Sequence, residues 1–277
     1  MTRVALALGG GGARGLAHIH VIEALDELGI RPAAIAGASI GAIMGAAMAA
    51  GMSGAEIRAH TLEAVGARRA VMNRLWKLRP ASLSEVFAAT LGQFDIERIL
   101  AHFLPAAIPD DFSGLSLPLK VIVTDYYGQC ERALDAGSLR PALAASAALP
   151  AIFRPVRRDG RILIDGGLFN PVPFDHLEGL ADIVIGVDVV GGPQGEGDAM
   201  PARIDALFGA SQLMMQAIIA AKLKLRPPDI LLRPGVSRFR VLDFLRAQEI
   251  LAATAPCKDE LKRALDAAVS ARAAVAG

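Results

Sequence analysis

The sequence predicts an α/β protein built on parallel strands, and three observations predict it. The chain opens in the order strand, loop, helix, strand, helix as far as Gly51, a βαβα start whose strands pair in parallel through a right-handed crossover. Hydrophobic residues make up 53% of the chain and aromatic residues only 5%, the aliphatic composition of strands buried on both faces. The 277 residues suffice for one larger α/β domain with a substantial core. No internal repeat or linker divides them, so residues 1–277 read as a single domain, with a core over about 4–190 and a C-terminal helical part over about 202–277.

The elements follow in order. Arg3 to Leu8 is a short apolar strand, a run of glycines turns the chain, and Ile19, Ile22, Leu25 and Leu28 recur at a helical interval until Gly29 ends the helix. Ala33 to Ala36 is a second strand, and a small-residue helix runs from Ser39 towards Gly51. Thr61 to Phe112 reads as mainly helical and amphipathic, with Leu75, Trp76, Leu78, Val86, Phe87 and Leu91 as its larger apolar groups. Those groups either cover the core or form a lid facing lipid. Leu119 to Thr124 is a strand, with Arg132 to Leu134 pairing back across a turn at Gly128. Arg161 to Ile164 is another, ending at Asp165-Gly166-Gly167, and Ile183 to Val190 is strongly β-like. Gly191 to Pro201 is a loop, followed by a helix, a short strand over Ile230 to Leu232 and two terminal helices.

Charge and cysteine content narrow the function classes. With 29 basic and 28 acidic residues the net charge is +1, which provides no large field for drawing in nucleic acid or an anionic membrane. Cys130 and Cys257 show neither metal-ligand spacing nor a disulfide framework, which fits a reducing, cytoplasmic compartment. The N-terminal residues run straight into glycine without the apolar helix of a signal peptide. The uncharged stretch from Pro32 to Ala55 is long enough to span a bilayer. It is dominated by alanine and glycine and has no interfacial tryptophan or tyrosine, so it reads as a buried strand, turn and helix.

Two glycine motifs carry the chemistry. Gly37-Ala38-Ser39-Ile40-Gly41 is a G-x-S-x-G placed where a strand turns sharply into a helix, a geometry that exposes the serine oxygen beside a helix start. The other motif, Gly9-Gly10-Gly11-Gly12-Ala13-Arg14-Gly15, lies between the first strand and helix. Its Gly10, Gly12 and Gly15 satisfy G-x-G-x-x-G, the fingerprint of a dinucleotide site. Such a site calls for an acidic or basic residue near the end of the second strand, and none lies between Pro32 and Ala55. No lysine followed by serine or threonine completes a P-loop either. What remains is a loop of backbone N–H groups at a helix start, suited to holding an oxyanion.

A serine nucleophile needs a base. Of the five histidines, His18 and His20 read as ordinary residues of the first helix, and His60 and His102 have no motif around them. His176 follows Asp165 in the Ser, Asp, His order of α/β-hydrolases. Asp165 ends an apolar strand and is followed by two glycines that permit close approach to the serine. Its carboxylate would need its pKa raised by burial, or its proton transfer concerted with attack, to act near neutral pH. The structural alternative for Asp165 is a turn cap.

In combination these motifs resemble the patatin-like phospholipases, particularly compact bacterial members akin to the catalytic domain of neuropathy target esterase. Gly10-Gly11-Gly12-Ala13-Arg14-Gly15 is similar to the family's oxyanion loop, Gly37 to Gly41 to its nucleophile elbow and Asp165-Gly166-Gly167 to its Asp-Gly-Gly segment. Ala145-Ser146-Ala147-Ala148-Leu149-Pro150, with Phe153 and Pro155, resembles the block before that aspartate. The resemblance covers roughly Val4 to Val190, and more weakly Pro228 to Glu249. It implies a three-layer α/β/α patatin-like fold with a central, mostly parallel sheet. It also implies a Ser39–Asp165 dyad without histidine, an oxyanion hole at Gly10, Gly11 and Gly12, and hydrolysis of fatty-acyl esters of (lyso)phospholipids or simpler esters. No metal or cofactor is expected. The expected partners are a lipid or ester substrate and, transiently, a membrane surface. Arg14 would anchor the loop or attract a phosphate head group. The alternative from another class is a catalytically silent lipid-binding or regulatory protein on the same fold.

Overall fold

The computed structural model describes residues 2–65, 94–195 and 200–276. Eight strands form one mixed sheet. β1 (Val4–Leu8) pairs in parallel with β2 (Ala34–Ala38) on one side and β7 (Ile183–Val187) on the other, and β7 continues in parallel to β8 (Ile230–Leu232). β2 pairs in parallel with β3 (Leu119–Asp125). Antiparallel pairing is confined to this end of the sheet, where β3 meets β4 (Cys130–Leu134) and β6 (Arg161–Asp165), and β6 meets β5 (Val156–Arg158).

The alternation of β1 explains the layers. Val4, Leu6 and Leu8 point to one face and Ala5 and Ala7 to the other. On the large-residue face they join a buried cluster with α1 (His18–Glu27), α2 (Ile40–Ala49), α5 (Leu139–Ser146), α7 (Ala247–Thr254) and α8 (Cys257–Ala276). On the alanine face a shorter cluster forms with Val172, Phe174 and Leu177 and with Ile219 of α6 (Arg203–Leu225). Two further helices, α3 (Gly54–Val65) and α4 (Ile96–Phe103), complete the large-residue side. The sheet thus has helices on both faces, as the resemblance implies.

One register relationship positions the site. β2 and β4 both pair with Val121 and Ile122, and β4 and β6 both pair with Val123, Thr124 and Asp125. Strands sharing the same partner residues must lie on opposite edges, so β2 and β6 share one edge of β3. Ala38, the last residue of β2, is opposite Ile122, and Asp165, the last of β6, is opposite Val123. The two strands run head to head and stop at adjacent positions.

Several elements depart from expectation. β7 ends at Val187, because the Asp188 side chain caps the Val190 N–H and turns the chain out of the sheet. A 3-10 turn, Gly12–Ala17, precedes α1, so its regular part begins at His18. β5 and α5 were not foreseen. Of the segment read as a lid or core cover, Thr61–Val65 belongs to α3 and Ile96–Phe103 to α4; Leu75, Trp76, Leu78, Val86, Phe87 and Leu91 lie outside the described residues.

Candidate active site

Ser39 occupies the turn between β2 and α2 with φ 54° and ψ −125°, a region that non-glycine residues enter only under constraint, at a cost of about 1–3 kcal/mol. The flanking glycines explain how the turn closes. A Cβ on Gly41 would lie 2.1 Å from the Leu8 carbonyl oxygen, and one on Gly37 would lie 2.6 Å from both Ala42 Cα and the Gly41 oxygen. The backbone N–H of Ser39 donates to Ser146 Oγ at 2.8 Å, and that hydroxyl donates to the Ile122 oxygen at 2.6 Å. Ser146, at the end of α5, therefore ties the strained turn to β3.

Ser39 Oγ donates to Asp165 Oδ2 at 2.6 Å across 126 positions of sequence. The other carboxylate oxygen accepts from the Gly167 N–H at 2.8 Å, so Asp165 both caps its turn and meets the serine. Gly166 lets this turn press on β3, since a Cβ there would sit 2.0 Å from the Ile122 oxygen. Burial pushes the Asp165 carboxyl up to about 6, opposed by its hydrogen bonds from Ser39 and Gly167. It is thus poised to exchange a proton near neutral pH.

The glycine loop lies against this pair: a Cβ on Gly10 would come within 3.3 Å of Ser39 Cβ. Its expected triple of donors is corrected by one. The Gly10 N–H is already engaged, donating to the Pro171 oxygen at 2.9 Å. Gly11 and Gly12 line the same cavity as Ser39 and Asp165, and among the described residues neither N–H has an acceptor. Gly15 is held to glycine by contact with Ile40, whose Cγ2 would lie 2.2 Å from its Cβ. Arg14 is buried and holds the loop. Its Nε donates to the Phe239 oxygen at 2.6 Å and its Nη1 to the Val190 oxygen. The Gln212 amide, oriented with its oxygen towards Arg14, accepts from Nη1 at 2.6 Å and Nη2 at 3.0 Å.

Among the described residues, Ser39 Oγ and the Asp165 carboxylate are hydrogen-bonded to each other, and the carboxylate also to the Gly167 N–H, but neither to any of the five histidines. His18 lies fully buried below the glycine loop, not on an ordinary helix face. Its Nε2–H donates to the Gly9 oxygen at 2.8 Å, and burial pushes its pKa down to about 4, so the ring is neutral. His20 donates to Leu251, His60 to Phe103 and His102 to Arg98, each to a backbone oxygen. His176 pairs with Glu131 at 3.2 Å. Glu131, Asp175 and His176 offer atoms within 4.8 Å of one another, as metal ligands would. Of the three, Asp175 is already engaged by the Lys222 ammonium, which donates to its Oδ1 at 2.6 Å, to Asn170 Oδ1 at 2.5 Å and to the Val172 oxygen at 3.0 Å.

The cavity at Ser39 encloses about 470 Å³. Its walls are mainly aliphatic and aromatic side chains, among them Ile43 and Met44 of α2, Ile57 of α3 and Leu100 of α4. Sequence reasoning placed Ser39 and Asp165 but missed Ser146 and His18 as parts of the same arrangement. For Ser146 the signal was present in the Ala145 to Pro150 block.

A strained serine hydrogen-bonded to a buried aspartate below a glycine loop, on a mixed sheet with helices on both faces, defines a class of hydrolase-like sites. The patatin-like phospholipase profile matches residues 6–177, and the chain belongs to that family. It is 36% identical over 202 residues to an uncharacterised NTE family protein of Mycobacterium bovis, covering 73% of this chain and 51% of that one. With human patatin-like phospholipase domain-containing protein 6 it shares 30% identity over 260 residues, covering 92% of this chain and 18% of that one. The chain thus spans about half of the mycobacterial relative and a smaller share of the human one. Among solved structures, human GIVD cytosolic phospholipase A2 aligns over 97% of this chain and 60% of its own, with 11% identity and a TM-score of 0.47.

Proposed function

We propose that this protein is a serine acyl hydrolase that cleaves fatty-acyl esters of (lyso)phospholipids or related carboxylic esters. The observation that carries this reading is the 2.6 Å hydrogen bond from Ser39 Oγ to buried Asp165 in the wall of a mainly apolar cavity. Ser39 Oγ attacks the acyl carbon while its proton passes to Asp165 Oδ2. The tetrahedral oxyanion is met by the N–H groups of Gly11 and Gly12 and by the start of α2, each good donor contributing roughly 3 kcal/mol to the barrier reduction. Collapse breaks the ester C–O bond, and the alcohol leaves with the proton from Asp165. Asp165 then takes a proton from water, whose oxygen attacks the acyl-enzyme, and the fatty acid and free Ser39 are regenerated. The acyl chain lies along the aliphatic walls, where each buried methylene contributes about 0.8 kcal/mol.

The test is hydrolysis of a lysophospholipid and of a short-chain ester by the native protein and by Ser39→Ala, Asp165→Asn and His176→Ala. Turnover falls by at least about 100-fold in the first two variants and persists in the third. A fluorophosphonate probe labels native protein and not Ser39→Ala. Absence of both turnover and labelling in the native protein would replace this reading with the catalytically silent lipid-binding one.

A further inference from the structure

Helix α6 is inside out. From Ala206 to Ala221 it carries no charged residue, and every exposed position in that stretch is Ala, Leu or Met. Leu207 is 49% exposed, and Leu213 and Met214 are each 60% exposed. The polar side chains of the same stretch turn inward: Gln212 is buried against Arg14, Gln216 donates to the Gly191 oxygen at 3.1 Å, and Ser211 lines the cavity. A helix covered by water on its outer face shows the reverse pattern. An apolar stripe of this size on an otherwise balanced surface marks a contact.

Length and composition alone would let Asp205–Leu225 cross a membrane, but α6 is fixed along the protein. Ile219 packs on the alanine face of the sheet, and Lys222 is tied to Asn170, Val172 and Asp175. Such a helix lies on an interface with its apolar face inserted, not through it.

The position of the stripe selects the partner. Phe208, Ser211, Gln212 and Met215 of α6 form part of the cavity wall, so the outer face borders the cavity directly. Across from it, Leu242 and Leu245 both line the cavity and stand about half exposed, which places them at its mouth. Exposed cations flank the apolar surface, Arg203 and Lys224 near the two ends of α6 and Arg238 and Arg240 in the segment just before Leu242, and they outnumber the part-exposed carboxylates Asp205 and Asp243 set among them. Arg240 reaches within 3.9 Å of Asp205, which fixes its segment next to the start of α6. An apolar centre whose mixed rim carries an excess of cations is complementary to acyl chains beneath anionic head groups.

We propose that the outer face of α6, with Leu242 and Leu245, docks on an anionic phospholipid surface and brings the mouth of the Ser39 cavity onto the lipid. This inference rests on the lipid-ester reading above, and its test keeps the two apart. Ser39→Ala protein is mixed with vesicles of phosphatidylcholine containing phosphatidylglycerol, or of phosphatidylcholine alone, and binding is read by co-sedimentation. Binding to the anionic vesicles is expected, weakened by salt, and reduced at least about 10-fold by Leu213→Glu/Met214→Glu. In otherwise native protein the double substitution lowers hydrolysis of vesicle lipid, while turnover of a soluble short-chain ester is unchanged, which shows that the fold is intact. Vesicle binding unaffected by the double substitution overturns the docking proposal. So does a native protein that ignores vesicles but self-associates through this face, with the substitution dispersing it in light scattering. Failure of the native protein on the soluble ester, with vesicle binding retained, overturns the hydrolase reading and leaves the docking surface standing.

Discussion

The backbone N–H of Ser39 and the hydroxyl of Ser146 are hydrogen-bonded at 2.8 Å, and Ser146 passes the restraint on to β3 through the Ile122 oxygen. A residue far along the chain therefore holds the proposed nucleophile in its strained turn. Ser146→Ala leaves a buried N–H without a partner, at a cost of about 1–3 kcal/mol, and lets the turn relax. Its turnover falls by about 10-fold or more with little change in KM, because ground-state binding in the cavity is untouched. A loss confined to KM would show that Ser146 does not act on the serine.

Asp165 and His18 push stability in opposite directions over the same pH range. The Asp165 carboxyl is raised to about 6 in the folded protein. It therefore contributes stability at low pH that is lost as pH rises from about 4 through 6, in all roughly 3 kcal/mol. His18 is lowered to about 4, so its contribution of roughly the same size is present above pH 6.5 and lost as pH falls through 4. Between them the native protein changes little. Asp165→Asn removes the first effect: its stability climbs with pH between 4 and 6.5, and at pH 7 it exceeds that of the native protein by up to roughly 3 kcal/mol, while turnover is lost. Denaturant titrations at several pH values read this directly, and an Asp165→Asn protein less stable than native at pH 7 contradicts it.

The native pH–rate profile carries the same group. In the proposed mechanism ionised Asp165 accepts the proton from Ser39, so kcat/KM is expected to rise tenfold per pH unit on the acid side and level off near pH 6. An acid limb centred near the ordinary aspartate value would place the titrating base elsewhere.

Two glycines of the site separate folding from turnover. Gly41→Ala drives a methyl group to 2.1 Å from the Leu8 backbone oxygen, a collision with a sheet strand that no side-chain rotation relieves, and little folded protein is expected on expression. Gly10→Ala meets Ser39 Cβ at 3.3 Å, which needs only a small shift. It folds, and its turnover falls on the order of 10-fold as the nucleophile is displaced. Circular dichroism and initial rates of the two variants make the comparison.

Lys222 reaches the glycine loop through one intermediate. It fixes Asn170 and Val172, and Pro171 between them accepts the Gly10 N–H. Lys222→Met leaves Asp175 and Asn170 without their ammonium partner and loosens the loop. The expected result is a lower kcat and weaker affinity for a phosphonate transition-state analogue, with substrate KM nearly unchanged. An equal loss for substrate and analogue would make Lys222 a packing residue only.

Much of this was legible in the sequence where local chemistry decides. β1, β2, β3 and β7 announce themselves as aliphatic runs because parallel strands are buried on both faces, and Gly37 to Gly41 encodes its turn in its own residues. The β5–β6 hairpin was also encoded, in Asp159-Gly160, whose φ values of 49° and 72° make the two-residue turn such a pair favours. Other features depend on distant partners. The burial of His18 follows from the Gly9 oxygen above it, and the engagement of the Gly10 N–H from Pro171, neither of which helical periodicity can reveal. The inverted surface of α6 escaped notice because its composition is that of any apolar helix; only its docking on the sheet shows which side faces out.

The head-to-head meeting of β2 and β6 along β3 makes the spacing of Ser39 and Asp165 a property of a single strand's backbone repeat. The chain's excursions after Ser39 and after β3 can lengthen, shorten or rearrange without changing how far the two side chains stand apart. Evolution is thus free to remodel the cavity walls while the proposed reacting pair stays riveted in place, and an engineer who grafts new loops onto these excursions inherits the same freedom.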